Sequence, residues 1–340
     1  MTEATVAVVG GGAWGSALAV HLGRGGAAVR LWIREADLVA RMLERRDNPA
    51  HLPGIRVPDT VTPSGDLHSV LDGAELVLTA VPSQYARAVY REMAPSIGAD
   101  VPVLVTCKGI EERTLALPLD VAAQELGGPR RLAVLSGPSF ALEVAQGRPT
   151  AVVVAAVDPA VATRLQQAVS SRELRIYTNQ DPFGVQLAGA VKNVMAIAVG
   201  VADSLGMGTN ARAALITRGL AELSRLVLAL GGNGGTAAGL AGMGDLVLTC
   251  TGDLSRNLRV GRRLGRGERL EDILSGSRSV AEGVRTTGAV RELARRGGVE
   301  TPIVDEVYRI LFEDGRAEEG LERLLSRPLK SEEPSPRARS

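Results

Sequence analysis

A lysine and an asparagine, Lys192 and Asn193, stand side by side in a segment that is otherwise small and apolar, LAGAVKNVMAIAVG. The apolar spacing predicts a buried helix, on which Ala188 and Gly189 would leave a hollow beside the ammonium group. A cation beside a reacting oxygen stabilises the negative charge that develops there and can deliver a proton. Partial burial and a second cation such as Lys108 would both lower the pKa of Lys192 towards neutrality. The alternative for an isolated lysine is a side chain that reaches solvent from the edge of a core.

A glycine-rich stretch near the N-terminus, VAVVGGGAWGSALA, follows a strand-like run and opens an Ala-rich helical pattern. Gly10, Gly12 and Gly15 have the G-x-G-x-x-G spacing of dinucleotide-binding turns. The first glycine permits a tight turn, the second lets a pyrophosphate approach the backbone, and the third allows close packing of helix on strand. The anion would lie on free N–H groups at the positive end of the helix. This context predicts a dinucleotide site, with a purely structural glycine turn as the alternative.

The end of the next strand-like run, VRLWIRE, bears on which dinucleotide is preferred. Folds that bind NAD usually carry Asp or Glu there, which holds the ribose hydroxyls. This sequence instead has Arg34, followed by Glu35. Because a guanidinium group pairs well with a 2′-phosphate, we expect NADPH to be preferred to NADH. The alternative is that Arg34 is a solvated charge.

Short apolar runs alternate with helical patterns from Thr5 to about Asn179. The runs are TVAVVG, AVRLWI, AELVLTAV, VPVLVTCKG, RLAVLSG, TAVVVAAV and LRIYTN. Their alternation with helices predicts a parallel sheet covered on both faces. After Asn179 the strand signal ends, and Asp181 followed by Pro182 predicts the start of a helix. The remainder is predicted to be all-α, with the Gly-rich stretch LGGNGGTAAGLAGMGD as a loop between helices.

These elements predict a two-domain chain. An α/β dinucleotide-binding domain of the Rossmann type is expected over residues 1–188 and an all-helical substrate and catalytic domain over 189–328. Residues 329–340 lack apolar spacing and are expected to form a disordered tail.

Composition narrows the classes of function. The 340 residues carry a formal net charge of +1, which gives no electrostatic signature of nucleic-acid or anionic-membrane binding. Two cysteines, Cys107 and Cys250, are too few for a disulfide framework, and the three histidines form no cluster with metal-ligand spacing. We read both cysteines as buried packing residues. Because the sequence shows neither a signal peptide nor an uncharged apolar run of about 18 residues, a cytoplasmic protein without an integral membrane segment is expected.

Four further motifs make the likeness to one family specific. TCKGIEERT, SGPSFALEVAQGRPT, GAVKNVMAIAVG and GDLVLTCTGDLSRNLRVG, together with the glycine loop, resemble those of bacterial NAD(P)-dependent glycerol-3-phosphate dehydrogenase, from about Thr5 to Leu325. The resemblance implies a Rossmann domain followed by an all-α domain, in the 6-phosphogluconate-dehydrogenase-like arrangement. It also implies hydride transfer between NAD(P)H and dihydroxyacetone phosphate, which gives sn-glycerol 3-phosphate for phospholipid synthesis. A homodimer is common in that family.

The resemblance carries site residues over to this sequence. Lys192 corresponds to the family's catalytic lysine, which also contacts substrate, and Lys108 to a lysine that meets both cofactor and substrate. The other substrate-binding positions that it implies are Gly137, Ser139, Asp245, Ser255, Arg256 and Asn257. The cofactor-binding positions that it implies, besides the three glycines, are Ala13, Trp14, Arg34, His51, Lys108, Ala141, Arg256, Val280 and Glu282. At Ala13 many members carry Ser, so a hydroxyl contact is lost while the backbone donors remain.

The chemistry of these residues agrees with the roles that the resemblance implies, but it leaves alternatives open. In the SRN motif, Arg256 offers a rigid fork of donors to a phosphate monoester, whereas an isolated motif of this kind is more often a solvated helix start. Asp245 could accept hydrogen bonds from substrate hydroxyls or orient a lysine, or else cap the next helix. A 3-hydroxyacid or 6-phosphogluconate-type dehydrogenase and a non-catalytic dinucleotide-binding regulator are the rival functions. SRN and CKGIE favour the triose phosphate, and the presence of both Lys108 and Lys192 argues against the regulator.

Overall fold

The computed structural model describes residues 5–127, 131–275, 281–329 and 331–332. Its strands are β1 Thr5–Val9, β2 Ala28–Trp32, β3 Asp47–Asn48, β4 Leu52–Arg56, β5 Val61–Ser64, β6 Leu76–Thr79, β7 Val103–Val105, β8 Leu132–Ser136, β9 Thr150–Ala155 and β10 Leu174–Asn179. Eight of these described strands form one sheet in the order β10-β9-β8-β7-β6-β1-β2-β5, and β3 pairs with β4 in a separate hairpin. Every strand expected from the apolar runs is present.

Helices connect these strands and predominate in the second half of the described residues. In the first half they are α1 Ala13–Arg24, α2 Ala36–Arg45, α3 Leu67–Leu71, α4 Ser83–Met93, α5 Pro118–Leu126, α6 Ala141–Ala145 and α7 Pro159–Val169, with a 3₁₀ turn at Ala94–Ser96. In the second half they are α8 Pro182–Ser204, α9 Gly208–Ala229, α10 Gly234–Ala238, α11 Asp245–Thr251, α12 Arg256–Leu264, α13 Leu270–Ser275, α14 Glu282–Arg296, α15 Pro302–Phe312 and α16 Ala317–Leu325, with a π-helical turn at Leu240–Gly244.

The sheet is covered on both faces because successive side chains of a strand point in opposite directions. In β1, Val6 and Val8 pack into one apolar core, and Ala7 and Val9 pack into the other. A third core lies among the helices of the second half and is centred on α8. The predicted α/β Rossmann-type domain followed by an all-α domain is confirmed.

Two details of the sheet differ from the sequence prediction. First, β9 runs antiparallel to β8, although β10 is parallel to β9. A parallel pair needs a long crossover on one face of the sheet, but the segment between β8 and β9 holds only the five-residue α6. Second, β5 was not expected, because its run is short and contains Pro63. At the edge of the sheet a proline is tolerated.

The Gly-rich stretch before Asp245 is not the loop that the sequence predicted. It contains α10 and the π-helical turn Leu240–Gly244. A Cβ atom at Gly242 would lie 1.9 Å from the carbonyl oxygen of Ala237. The glycines therefore permit tightly packed helical turns rather than an extended connection.

The central helix of the second half is α8. Its length and hydropathy would suit a membrane span, but its apolar window is 100% buried inside the protein, so α8 is a core helix. It begins as expected, with the Asp181 side chain accepting a hydrogen bond from Gly184 N at 2.8 Å. The domain boundary expected at residues 188/189 falls within α8 and stays a prediction. The expected tail, residues 329–340, lies largely outside the described residues.

Candidate active site

The carboxyl ends of four neighbouring parallel strands meet at one edge of the sheet. At this edge the glycine loop follows β1, Ala80 follows β6, Lys108 follows β7 and Gly137 follows β8. Gly10 has a φ of 121°, and a Cβ atom there would lie 2.9 Å from the backbone of Ala80. Ligands of open α/β sheets bind in the crevice at this edge, where the strand order reverses. In this sheet the reversal lies between β1 and β6.

Three charged side chains from distant parts of the chain meet beside this edge. Lys192 Nζ lies 2.6 Å from Asp245 Oδ1 and donates to Thr249 Oγ1 at 2.8 Å. Lys108 Nζ pairs with the other carboxylate oxygen of Asp245 and donates to Gly137 O at 3.3 Å. Asp245 is only 1% exposed, so one buried carboxylate joins the two lysines.

The surroundings of Lys192 make its ammonium group easier to deprotonate. Burial lowers the pKa of Lys192 to about 8; the charge of Asp245 opposes this, and the positive charge of Lys108 adds to it. An acid or base works best when its pKa lies near the working pH. Lys192 therefore has the electrostatic character expected for proton transfer at neutral to mildly alkaline pH.

Small residues bring α8 against the sheet at this point. Gly189 faces β8, and a Cβ atom there would lie 3.0 Å from Ser136 Oγ and 3.6 Å from Lys108 Cγ. Ser136 Oγ is buried and has no hydrogen-bond partner among the described residues. Gly137 has a φ of 133°, and its carbonyl also accepts from Ser139 Oγ at 3.0 Å. A larger residue at position 189 would move Lys192 away from Lys108.

The SRN motif forms the start of α12, and its three side chains do different things. Ser255 Oγ accepts from Leu258 N at 3.2 Å and so caps the helix. Asn257 is buried, donates to Asn193 Oδ1 at 2.9 Å and accepts from Gly283 N at 3.0 Å. The Asn257 side chain thus ties α12 both to α8, through Asn193 beside the lysine, and to α14.

Arg256 is the exposed member of the motif. Its guanidinium makes no hydrogen bond or ion pair with any residue that the structure describes. Nearby, Glu282 opens α14 and is partly buried. Burial raises the pKa of the Glu282 carboxyl, while the positive charges of Arg256, Lys108 and Lys192 act in the opposite direction. Arg256 and the two lysines therefore all act on the charge of Glu282, and the donors of Arg256 are available to an anion.

The expected cofactor residues come from several elements, and those that the structure describes do not form one bonded cluster. Ala13, Trp14 and Gly15 begin α1, and Trp14 packs against the same core as Ala141 at the start of α6. Arg34, after β2, is exposed and pairs with Glu35 at 3.0 Å. His51 is exposed in the turn between β3 and β4, and Val280 lies outside the described residues.

Two polar residues of this region were missed by the sequence reasoning. Thr249 stands four residues after Asp245, on the same face of α11, and this helical spacing could have revealed it. Asn48 is 1% exposed, and its side chain donates to Gly11 O at 3.0 Å and to Ser16 Oγ at 2.9 Å. It lies in a two-residue strand for which the local sequence gives no signal.

The capping role considered for Asp245 is not observed, because Gly244 is the N-cap and the carboxylate binds the lysines.

The described residues do not indicate a metal site or a reactive cysteine. Within residues 5–127, 131–275 and 281–329, no group of three His, Cys, Asp or Glu could hold a metal ion. Cys107 and Cys250 are buried free thiols, as expected. Burial raises the pKa of each to about 12, which keeps both thiols protonated and unreactive at neutral pH.

Comparison with known proteins identifies the family. Models for the N-terminus and the C-terminus of NAD-dependent glycerol-3-phosphate dehydrogenase match residues 5–162 and 181–322. A protein of Koribacter versatilis named glycerol-3-phosphate dehydrogenase [NAD(P)+] is 48% identical over 96% of this chain and 98% of its own length. The crystal structure of glycerol-3-phosphate dehydrogenase from Coxiella burnetii is 41% identical, with a TM-score of 0.92 over 96% of this chain and 99% of that one.

A more distant likeness concerns the fold alone. A ketopantoate reductase of the PanE/ApbA family from Ralstonia eutropha is 18% identical, with a TM-score of 0.59 over 93% of this chain and 99% of that one. The glycine loop at the carboxyl edge, the two lysines on one carboxylate and the matched models over both halves agree with one another. The chain belongs to the NAD-dependent glycerol-3-phosphate dehydrogenase family.

Proposed function

We propose that this chain reduces dihydroxyacetone phosphate to sn-glycerol 3-phosphate, with Lys192 as the proton donor and NADPH as the preferred reductant. The observation that carries the proposal is the contact of Lys192 and Lys108 with the buried carboxylate of Asp245. Burial holds the pKa of Lys192 at about 8, so its ammonium form can give up a proton. The family to which the chain belongs supports the choice of substrate.

The chemical step needs a hydride and a proton. The nicotinamide supplies the hydride to the carbonyl carbon when the cofactor is bound. Negative charge then develops on the carbonyl oxygen, and the ammonium group of Lys192 stabilises it and transfers one proton to it. Asp245 and Thr249 hold the Lys192 side chain in place through contacts of 2.6 and 2.8 Å. In the reverse direction the neutral amine accepts the alcohol proton.

The substrate phosphate is proposed to bind Arg256. This guanidinium is exposed at the first turn of α12, and no described residue pairs with it. Asn257 holds α12 against α8 through a buried hydrogen bond to Asn193, which places the backbone of the adjacent Arg256 relative to α8. Gly137, Ser139 and Lys108 are proposed to contact the polar end of the substrate. Ser255 already caps the helix, so its proposed contact would come from the same hydroxyl.

The glycine loop fits the pyrophosphate of a dinucleotide. A Cβ atom at Gly12 would meet nothing within 4 Å, so the backbone there is open to a ligand. The first turn of α1 contains no acidic residue that would repel an anion. Trp14, His51, Ala141, Val280 and Glu282 are the further proposed cofactor contacts.

The preference for NADPH rests on Arg34. Its pairing with Glu35 is a surface ion pair, with 71% of the Arg34 side chain and 47% of the Glu35 side chain exposed. Such pairs contribute little stability, so a doubly charged 2′-phosphate can compete with Glu35 for the guanidinium. We further propose a homodimer in the cytoplasm whose product feeds phospholipid synthesis, on the likeness to the family.

The first experiment tests the reaction and the role of Lys192 together. Purified protein is mixed with NADPH and dihydroxyacetone phosphate, and absorbance of the reduced nicotinamide is followed. We expect loss of the signal in the wild type and turnover lower by roughly 10²–10⁴-fold in Lys192→Met, with NADPH binding retained. Lys192→Arg is the matched control, because it keeps the cation but cannot release a proton.

The outcomes separate the rival functions. A wild type that binds NADPH but does not consume it with any ketone would indicate the non-catalytic regulator. Consumption with 3-hydroxyacid precursors but not with dihydroxyacetone phosphate would indicate the related dehydrogenases. A Lys192→Met variant within tenfold of the wild type would remove Lys192 from the proton transfer.

A further inference from the structure

A buried asparagine outside all the expected site residues contacts the glycine loop. Asn48 lies in β3, and its side-chain amide donates both to Gly11 O at 3.0 Å and to Ser16 Oγ at 2.9 Å. Ser16 Oγ in turn donates to Gly11 O at 3.1 Å. The carbonyl of Gly11 therefore accepts two hydrogen bonds from buried side chains, and Asn48 and Ser16 are each 1% exposed.

Holding this carbonyl also orients the next N–H group. The C=O of Gly11 and the N–H of Gly12 belong to one planar trans peptide, in which they point in opposite directions. With Gly11 O turned towards Asn48 and Ser16, the Gly12 N–H is turned towards the other side. Among the described residues none accepts a hydrogen bond from that N–H, and space is open beside Gly12.

The same asparagine holds the β3–β4 hairpin. Its Oδ1 accepts from His51 N at 3.2 Å, in the turn of the hairpin. The neighbouring Asp47 is bound by Arg41 of α2 through contacts of 2.8 and 2.9 Å. Loss of the Asn48 amide would therefore remove one of the two hydrogen bonds that hold the Gly11 carbonyl, while the base of the hairpin remains attached to α2.

We propose that Asn48 is a positioning residue of the dinucleotide site, which fixes the Gly11–Gly12 peptide so that its N–H faces the pyrophosphate. This inference rests on the proposed placement of the pyrophosphate on the glycine loop. A free peptide between two glycines would rotate among several orientations, and the binding free energy would then include the cost of ordering it. Asn48 removes that cost before the dinucleotide arrives.

The test compares two variants that weaken the same carbonyl contact. Asn48→Ala removes the amide, and Ser16→Ala removes only the second donor and leaves the hairpin bond to His51 N in place. We expect each to raise the Kd for NADPH, measured by titration calorimetry, and Asn48→Ala by on the order of ten- to hundredfold. The turnover number at saturating NADPH and the KM for dihydroxyacetone phosphate should stay near the wild-type values.

A matched control separates positioning from loss of stability. Asp158 caps α7 by accepting from Ala160 N at 2.8 Å. It follows β9, which runs antiparallel to β8 and therefore ends at the opposite edge of the sheet. Asp158→Ala should lower the melting temperature without changing the Kd for NADPH. Equal weakening of NADPH binding by Asp158→Ala and Asn48→Ala would assign Asn48 to stability alone.

Gly12→Ala distinguishes failure of this inference from failure of the proposed cofactor site. Gly12 has a φ of −69°, which any residue adopts, and the methyl group would enter the open space where the pyrophosphate is proposed. If Gly12→Ala does not weaken NADPH binding, the glycine loop is not the dinucleotide site. If Gly12→Ala weakens binding but Asn48→Ala and Ser16→Ala do not, only the positioning role of Asn48 is overturned.

Discussion

Replacing Asp245 with asparagine removes the one negative charge that joins the two lysines. Asp245 is 1% exposed, and its Oδ1 lies 2.6 Å from Lys192 Nζ. The variant keeps the shape of the side chain but leaves Lys192 and Lys108 facing each other without a counter-charge. Because the charge of Asp245 opposes the lowering of the Lys192 pKa by burial, we expect that pKa to fall below about 8 in the variant.

The size of the effect follows from the charges and their separation. Two unit charges about 4 Å apart interact by about 4 kcal/mol at an effective dielectric constant near 20. One pH unit in a pKa corresponds to about 1.4 kcal/mol. Relaxation of the site and entry of water reduce this interaction energy, so the pKa of Lys192 should fall by about one to three pH units.

The assay is the pH dependence of kcat/KM for ketone reduction, from about pH 5 to 10 at fixed ionic strength, which reports the free enzyme. Reduction needs the protonated form of Lys192, so kcat/KM for the wild type should decline as pH rises through about 8. In Asp245→Asn the decline should begin about one to three pH units lower. Lys108→Met should move it upward, because the positive charge of Lys108 lowers the pKa of Lys192.

Asp203, which lies on α8 as Lys192 does, provides a matched control for the loss of a carboxylate. Its carboxylate also joins two cations, with Arg212 at 2.7 Å and Arg262 at 3.1 Å. It lies eleven residues beyond Lys192 on α8, which is about 16 Å along the axis. An unchanged decline in Asp245→Asn, or an equal displacement in Asp203→Asn, would refute the assignment of Lys192 and Asp245 as a coupled pair.

Three further predictions concern other parts of the molecule. Arg256→Ala should reduce kcat/KM for dihydroxyacetone phosphate much more than for unphosphorylated dihydroxyacetone, whereas equal losses would mean that Arg256 does not bind the phosphate. Arg34→Ala should selectively impair NADPH, by on the order of 1.5–3 kcal/mol in the ratio of kcat/KM for NADPH and NADH, and an unchanged ratio would assign Arg34 to solvent. Burial raises the pKa of Glu222 to about 7, so its contribution to stability is present below about pH 4.5 and lost as pH rises through about 7. Relative to Glu222→Gln, the wild-type free energy of unfolding in urea should therefore fall between about pH 5 and 8 by an amount on the order of 3 kcal/mol, and parallel pH profiles would contradict this.

The order of the secondary structure was predictable because its signals are local. The apolar runs identify the main strands, and Asp181 with Pro182 marks the start of α8. Strand direction is different, because the pairing of β9 with β8 depends on the path of the chain between them rather than on the residues of either strand. The edge strand β5 and the two-residue β3 are short, and neither has a periodic pattern that could be recognised.

The sequence by itself determined the glycine loop, the identity of the charged residues and the family, since each is carried by residue types at short, fixed spacings. Only the tertiary structure decided which side chains meet. Lys192 and Asp245 are 53 residues apart and Lys108 and Asp245 are 137 apart, yet one buried carboxylate binds both lysines. Such contacts result from the packing of α11 on α8 and of α8 against β8, and no local pattern encodes them. For the same reason Asn48 became recognisable only when β3 was seen against the glycine loop.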